Sequence, residues 1–171
     1  MNPYCEYCNT HPEDIYNRNY HDNEYGFPLS DDNLLFERLI LEINQAGLSW
    51  LTILKKAENF RHAYSGFDLE TVAGYGESDR ARLLGDAGII RNRLKVNAAI
   101  ENAKRIRALS TQFGSFKGWL DAHHPRSREA WTQMIYPCFK NSRVAAIFSL
   151  STLPVSSQWS SIALMVRTAC M

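Results

Sequence analysis

Between Asp31 and Tyr64 apolar residues recur at intervals of three and four, and only Gly47 interrupts the period. A chain patterned in this way folds into helices that pack on one another. Ser30, Asp31 and Asp32 make a helix-start signal, which predicts a first strong helix from about 31 to 45. One residue breaks the pattern. On the face that Leu35, Leu39, Ile43 and Ala46 share stands Glu42, a carboxylate inside the apolar stripe of "LILEINQAGLSWLTILKK". Burying a charge is costly unless it is paired, so either a buried ion pair or a function must account for it.

The rest of the chain is read in the same terms. "LSWLTILKKAENFRHAY" resumes helical spacing after Gly47, "GFD" at 66–68 stops it, and Asp68 caps a short helix over "LETVAGY". Ser78 is expected to cap a further short helix that Gly88 breaks. A long amphipathic helix from about Asn92 to Leu109 completes a helix, tight turn, helix unit. Ser115 and Ser127 read as caps for "FKGWLDAHH" and "REAWTQMIY", the second closed by Pro137. Strand signals are scarce, and the fold class expected is all-α. Residues 1–28, rich in aromatic and polar side chains without a sustained period, are expected to form an irregular N-terminal arm. After Trp131 there is no acidic residue, serines abound and no period holds, so the chain divides into a helical domain at 1–131 and an atypical tail at 132–171.

Charge is informative only locally. Lys and Arg number 19 against 18 Asp and Glu, a formal net charge of +1, so any affinity for nucleic acid must come from clustered groups. Arg91, Arg93, Lys95, Lys104, Arg105 and Arg107 are opposed only by Glu101, which leaves two readings. Backbone N–H groups at the turn could hold a phosphate with these cations as counter-charge, or the run is a solvated helix face. No secretory signal and no apolar run of roughly 18 residues is seen, so a cytoplasmic protein without a membrane partner is expected. The four cysteines read as thiols or metal ligands rather than disulfides. Cys5 and Cys8 stand as C-E-Y-C; a zinc site needs four ligands, and His11 and His21 could contribute.

Three blocks taken together, "YHDNEYGFP" at 20–28, "LEINQAGLSWLTILKKAENF" at 41–60 and "DAGIIRNRLKVNAAIENA" at 86–103, resemble the 3-methyladenine DNA glycosylase I family, over roughly residues 4–131. The resemblance implies a helix-hairpin-helix fold and excision of 3-methyladenine from alkylated double-stranded DNA by a monomer. It implies that Glu42 reads the extruded base, with Trp50, Tyr16 and Tyr20 as pocket walls. Tyr20 matches within "YHD", whereas one more residue than the family pattern separates Tyr16 from Tyr20, and Tyr25 stands where the family often has Trp. Gly88, Ile89 and Ile90, with Arg91, match the hairpin that would hold DNA phosphate. Gln45, Gly47 and Leu48 match a turn that would wedge into the gap left by the base; Leu48 could equally be a core leucine.

This chemistry suits the residues. Methylation at N3 makes adenine cationic, so aromatic faces attract it and a carboxylate can accept from its amino group. Many relatives in the superfamily place a catalytic Asp after the hairpin; the family resembled lacks it, and no Asp lies between Gly88 and Leu120 here. The family also implies a structural Zn2+ held by an N-terminal Cys and His, matching Cys5 and His21 with Cys8 as the alternative to Cys5, together with a His and a Cys near the C-terminus. That second pair is not found after His124, and the tail departs from the family, by out-of-frame readthrough or by divergence. Two other readings stay open: a catalytically impaired protein that binds DNA or alkylated bases, and a small zinc hydrolase using Cys5, Cys8, His11 and His21.

Overall fold

The computed structural model describes residues 3–139, and all regular elements among them are helical. They are α1 (Pro3–Thr10), α2 (Ile15–Asn23), α3 (Asp32–Gln45), α4 (Trp50–Leu54), α5 (Ala57–Ala63), a 3-10 turn (Ser65–Phe67), α6 (Leu69–Ala73), α7 (Glu77–Gly85), α8 (Arg93–Phe113), α9 (Phe116–Ala122) and α10 (Arg128–Cys138). The tail's remainder lies outside the described residues, and the boundary expected at residue 131 falls within α10. None of the described helices is long and apolar enough to cross a membrane.

The central element is α3, buried at every position from Leu35 to Asn44 except Leu39. Asp31 starts it by accepting from the backbone N–H of Asn33 and Leu34, the side-chain cap the sequence announces. Its first turn also caps two other helices. Asp32 accepts from the N–H of Phe116 at 2.7 Å and Lys117 at 2.9 Å, satisfying the free donors of α9, and Asn33 accepts from Leu69 N–H at 3.0 Å at the start of α6. α8 packs most extensively on α6 and then on α9, burying Val96, Ala99, Ile100, Ala103 and Ile106. Gly114 ends α8 in the left-handed region at φ 81°.

Three expectations are corrected. The N-terminal arm is not irregular: it is the helix pair α1 and α2. Tyr4 and Cys8 share one face of α1, Asn17 and Tyr20 one face of α2, and Tyr4 Oη donates to Asn17 across the pair. Only one or two residues per turn are buried, too few to show as a period. The expected helix after Gly47 is two helices meeting at Lys55 and Lys56. The start of α7 is Gly76, not Ser78, because the Asp79 carboxylate reaches back to accept from Gly76 N–H at 3.0 Å.

Candidate functional site

Three ionisable side chains of α3 are buried: Glu37, Arg38 and Glu42. Two are paired. Glu37 accepts from Arg61 of α5 at 2.8 Å, and Arg38 Nη2 lies 2.5 Å from Glu24 Oε2 just past α2. Glu42 has no ion-pair partner among the described residues, and its Oε1 is buried without a hydrogen bond. It is 3% exposed. Burial pushes its carboxyl up from 4.5 to about 8, and the charge of Arg38, one turn earlier on the same face, opposes only part of that rise. The carboxylate in the apolar stripe is therefore not half of a buried salt bridge, and at neutral pH it is mostly protonated.

An aromatic wall stands beside this face. Tyr20 of α2 meets Trp50 of α4 edge to face at 5.2 Å and Tyr25 at 6.1 Å, and Tyr4 of α1 meets Tyr25 at 4.8 Å. The Arg38 guanidinium lies 4.7 Å from the centre of the Tyr20 ring, a cation held on an aromatic face. Further buried polar atoms without a hydrogen bond among the described residues include Trp50 Nε1, Arg38 Nη1 and Gln45 Oε1, the last lying three residues beyond Glu42 and so on the same side of α3. Buried polar atoms are nearly always satisfied, so unsatisfied groups on this face of α3 and on the Trp50 that packs against Tyr20 mark a place suited to a polar ligand.

Tyr16 is not drawn into this wall. It is 43% exposed on α2, with Lys55 Nζ 5.8 Å from its ring. Arg38 and Tyr25 do belong to the cluster. Arg38 stands one turn before Glu42 in the sequence, a spacing that puts it on the same helix face.

The residues between α3 and α4 form a tight exposed turn. Gly47 sits at φ 81°, Leu48 N–H donates to Gln45 O at 2.7 Å, and Gln45 Nε2 donates to Leu48 O at 3.2 Å. Leu48 is 37% exposed at the tip, which fits a projecting side chain better than a core leucine. The hairpin between α7 and α8 is ordered by its own polar groups: Asp86 Oδ1 accepts from Gly88 N–H at 2.7 Å, and Lys56 Nζ donates to the carbonyls of Ala87 and Gly88 at 3.2 and 3.0 Å. Gly88 N–H is thus already used. Among the described residues nothing accepts from the N–H groups of Ile89, Ile90 and Arg91, and these remain for an anion.

The basic segment of α8 divides in two. Lys104 pairs with Glu101 and Arg107 with Glu70, Arg105 Nη1 donates to Cys138 O, and Lys95 points inward. Arg91 and Arg93, flanking the hairpin, have no ion-pair partner among the described residues. Arg91 and Arg93, at the hairpin end of the segment, are thus placed to present positive charge to an anion.

The expected metal residues fit a zinc site poorly. Cys8 is 1% exposed with its thiol directed at Asn17 O, 3.7 Å away, and burial raises its pKa. His21 Nδ1 is bonded to Asp22 at 2.8 Å, an arrangement that would free Nε2 for a metal. Cys5 is half-buried. Among the described residues no three metal-ligating side chains gather, so the donor set is incomplete within them. The zinc hydrolase reading loses its four-residue site by the same observation.

Comparison with known proteins follows the same residues. The methyladenine glycosylase family model matches residues 8–149. The DNA-3-methyladenine glycosylase 1 of Escherichia coli strain K12 is 45% identical over 116 residues, 66% of this chain and 62% of that protein. The solved 3-methyladenine DNA glycosylase I of Staphylococcus aureus superimposes with a TM-score of 0.58 at 40% identity, covering 60% of this chain and 54% of that one. Another solved 3-methyladenine DNA glycosylase I gives 0.67 at 31% identity, over 91% of this chain and 87% of the other. The match to the first two thus spans less than two thirds of their own length.

Proposed function

Since this chain belongs to the methyladenine glycosylase family, we propose that it is a DNA repair N-glycosylase that extrudes 3-methyladenine from alkylated double-stranded DNA and hydrolyses its N-glycosidic bond. One observation carries the reading: Glu42, buried and unpaired, with an orphaned oxygen, on the α3 face whose Arg38 lies over Tyr20, itself packed on Trp50 with its orphaned indole N–H. A cationic base entering there finds ring faces worth roughly 0.5 to 2 kcal/mol each. It also supplies the positive charge that Glu42 lacks, which draws the carboxyl back towards ionisation.

The charged base is already a good leaving group, so little acid catalysis is required. The chain has no Asp between Gly88 and Leu120 to stabilise the sugar. Glu42 acts by gripping the departing base and favouring the state in which it leaves, which is electrostatic and positional catalysis. The free N–H groups of Ile89, Ile90 and Arg91 take a backbone phosphate, with Arg91 as counter-charge. Leu48, at the tip of its turn, fills the space left in the stack. Extrusion itself costs a few kcal/mol, least at a damaged base. Tyr16, exposed beside Lys55, serves at most as the outer rim. The protein works as a monomer in the cytoplasm in this reading.

The test is release of free 3-methyladenine from methylated DNA by the wild type and by Glu42→Ala. Release that depends on Glu42 supports the proposal. DNA binding without release identifies instead a non-catalytic binder of the same family.

A further inference from the structure

The turn that carries Leu48 and the hairpin that carries Ile89 to Arg91 are distant in sequence, yet two lysines tie them together. The last carbonyls of a helix have no partner within it. At the end of α3 these belong to Asn44 and the residues after it, and Lys95 of α8 donates to Asn44 O at 2.7 Å and to Ala46 O at 2.8 Å. Lys95 stands in the first turn of α8, directly after the hairpin, whose last residue Asn92 caps that helix. The reverse tie comes from the other side. Lys56, which follows α4 and hence the Leu48 turn, donates to the carbonyls of Ala87 and Gly88 within the hairpin. Asn59 adds a longer contact to Gly88 O at 3.4 Å.

We propose that Lys95 and Lys56 are positioning residues that lock the Leu48 turn and the hairpin into one rigid unit, so that gripping a phosphate and inserting the wedge are a single event. The inference rests on the reading of both elements as DNA contacts given above. Neither lysine contacts the Glu42 cluster, so their roles are separable from base recognition. An ammonium suits the task because it offers three donors to carbonyls that diverge from one another. Four bonds between charged donors and backbone acceptors cross the gap, and two of them hold Asn44 and Ala46, just before Gly47, the position where the turn is most free to hinge.

The test uses the full chain, a fluorescein-labelled duplex for affinity, 2-aminopurine fluorescence for base extrusion, and single-turnover release from methylated DNA. Lys95→Met keeps the side-chain length and removes the donor. It is expected to leave duplex affinity within about threefold of wild type, since no phosphate contact is lost, while extrusion and single-turnover release fall roughly 10- to 100-fold, the scale of a misplaced element. Lys95→Arg, which can still reach both carbonyls, is expected to recover most of the loss. The double variant Lys95→Met/Leu48→Ala should be no worse than the poorer single one, because a loosened turn has already lost its wedge. Circular dichroism confirms that each variant is folded. Additive losses in the double variant, or a Lys95→Met that extrudes as wild type does, overturn the proposal. A wild type that extrudes the base but releases nothing refutes the glycosylase reading while the variant comparison still stands; one that never extrudes sinks both.

Discussion

Replacing Glu42 by Gln should make the protein more stable and less active, with both effects governed by pH. The Glu42 carboxyl sits at about 8 in the fold against an ordinary 4.5. Between those values the folded protein holds a proton that the unfolded chain has released, so stability falls as pH rises through the window and levels off above about 8. At 1.36 kcal/mol per pH unit the loss has a ceiling of about 5 kcal/mol. The amide has the shape of the acid without a titratable proton, so Glu42→Gln escapes this loss. For a chain of this size each kcal/mol moves the thermal midpoint roughly 2–4 °C. The variant is therefore expected to melt within about 3 °C of wild type at pH 4.5 and about 5–15 °C above it at pH 8.5. Other titrating groups are common to both proteins and cancel in the difference. Followed by circular dichroism, a gap that stays the same from pH 4.5 to 8.5 would refute the argument that Glu42 is buried without a partner. The catalytic arm runs the opposite way. Wild-type release at subsaturating DNA, which reports the free enzyme, should rise with pH up to about 8 as the carboxylate forms, and Glu42→Gln should lack that limb and release base about 100-fold more slowly.

Arg38→Met removes the one charge that favours ionised Glu42, so the pH limb of wild-type release should shift to higher pH; an unmoved limb argues that Arg38 acts only through Tyr20. A Cβ on Gly88 would stand 3.0 Å from Asp86 Oδ1 and 3.2 Å from Asn59 Cβ, so Gly88→Ala should cost about 1–2 kcal/mol in urea unfolding and weaken duplex binding by distorting the hairpin. Asp32→Ala leaves the N–H groups of Phe116 and Lys117 uncapped and is expected to cost about 1–2 kcal/mol of stability with release per folded molecule unchanged. Chelator treatment tests the zinc expectation: an unmoved thermal midpoint argues against a structural metal, and a fall of several degrees supports one.

What the sequence determined by itself was most of what local chemistry decides. Period, caps and glycines located α3, α6, α8, α9 and α10 within a few residues, because an aspartate or serine that accepts from the next turn's N–H does so wherever the helix later packs. The sequence also singled out Glu42, since a lone carboxylate in an apolar stripe is visible without coordinates. It could not say whether that carboxylate was paired. The answer depended on which acid Arg38 reached, and the tertiary packing of α2 on α4 beside α3 sent Arg38 to Glu24 and left Glu42 alone. The same packing made helices of an arm too sparsely apolar to show a period, left Tyr16 outside the aromatic wall, and turned Lys95 of the basic run into an internal brace. Each of these depends on distances between residues far apart in the chain, for which a one-dimensional pattern holds no record; charge and apolarity repeat along a helix, but partners are chosen across space.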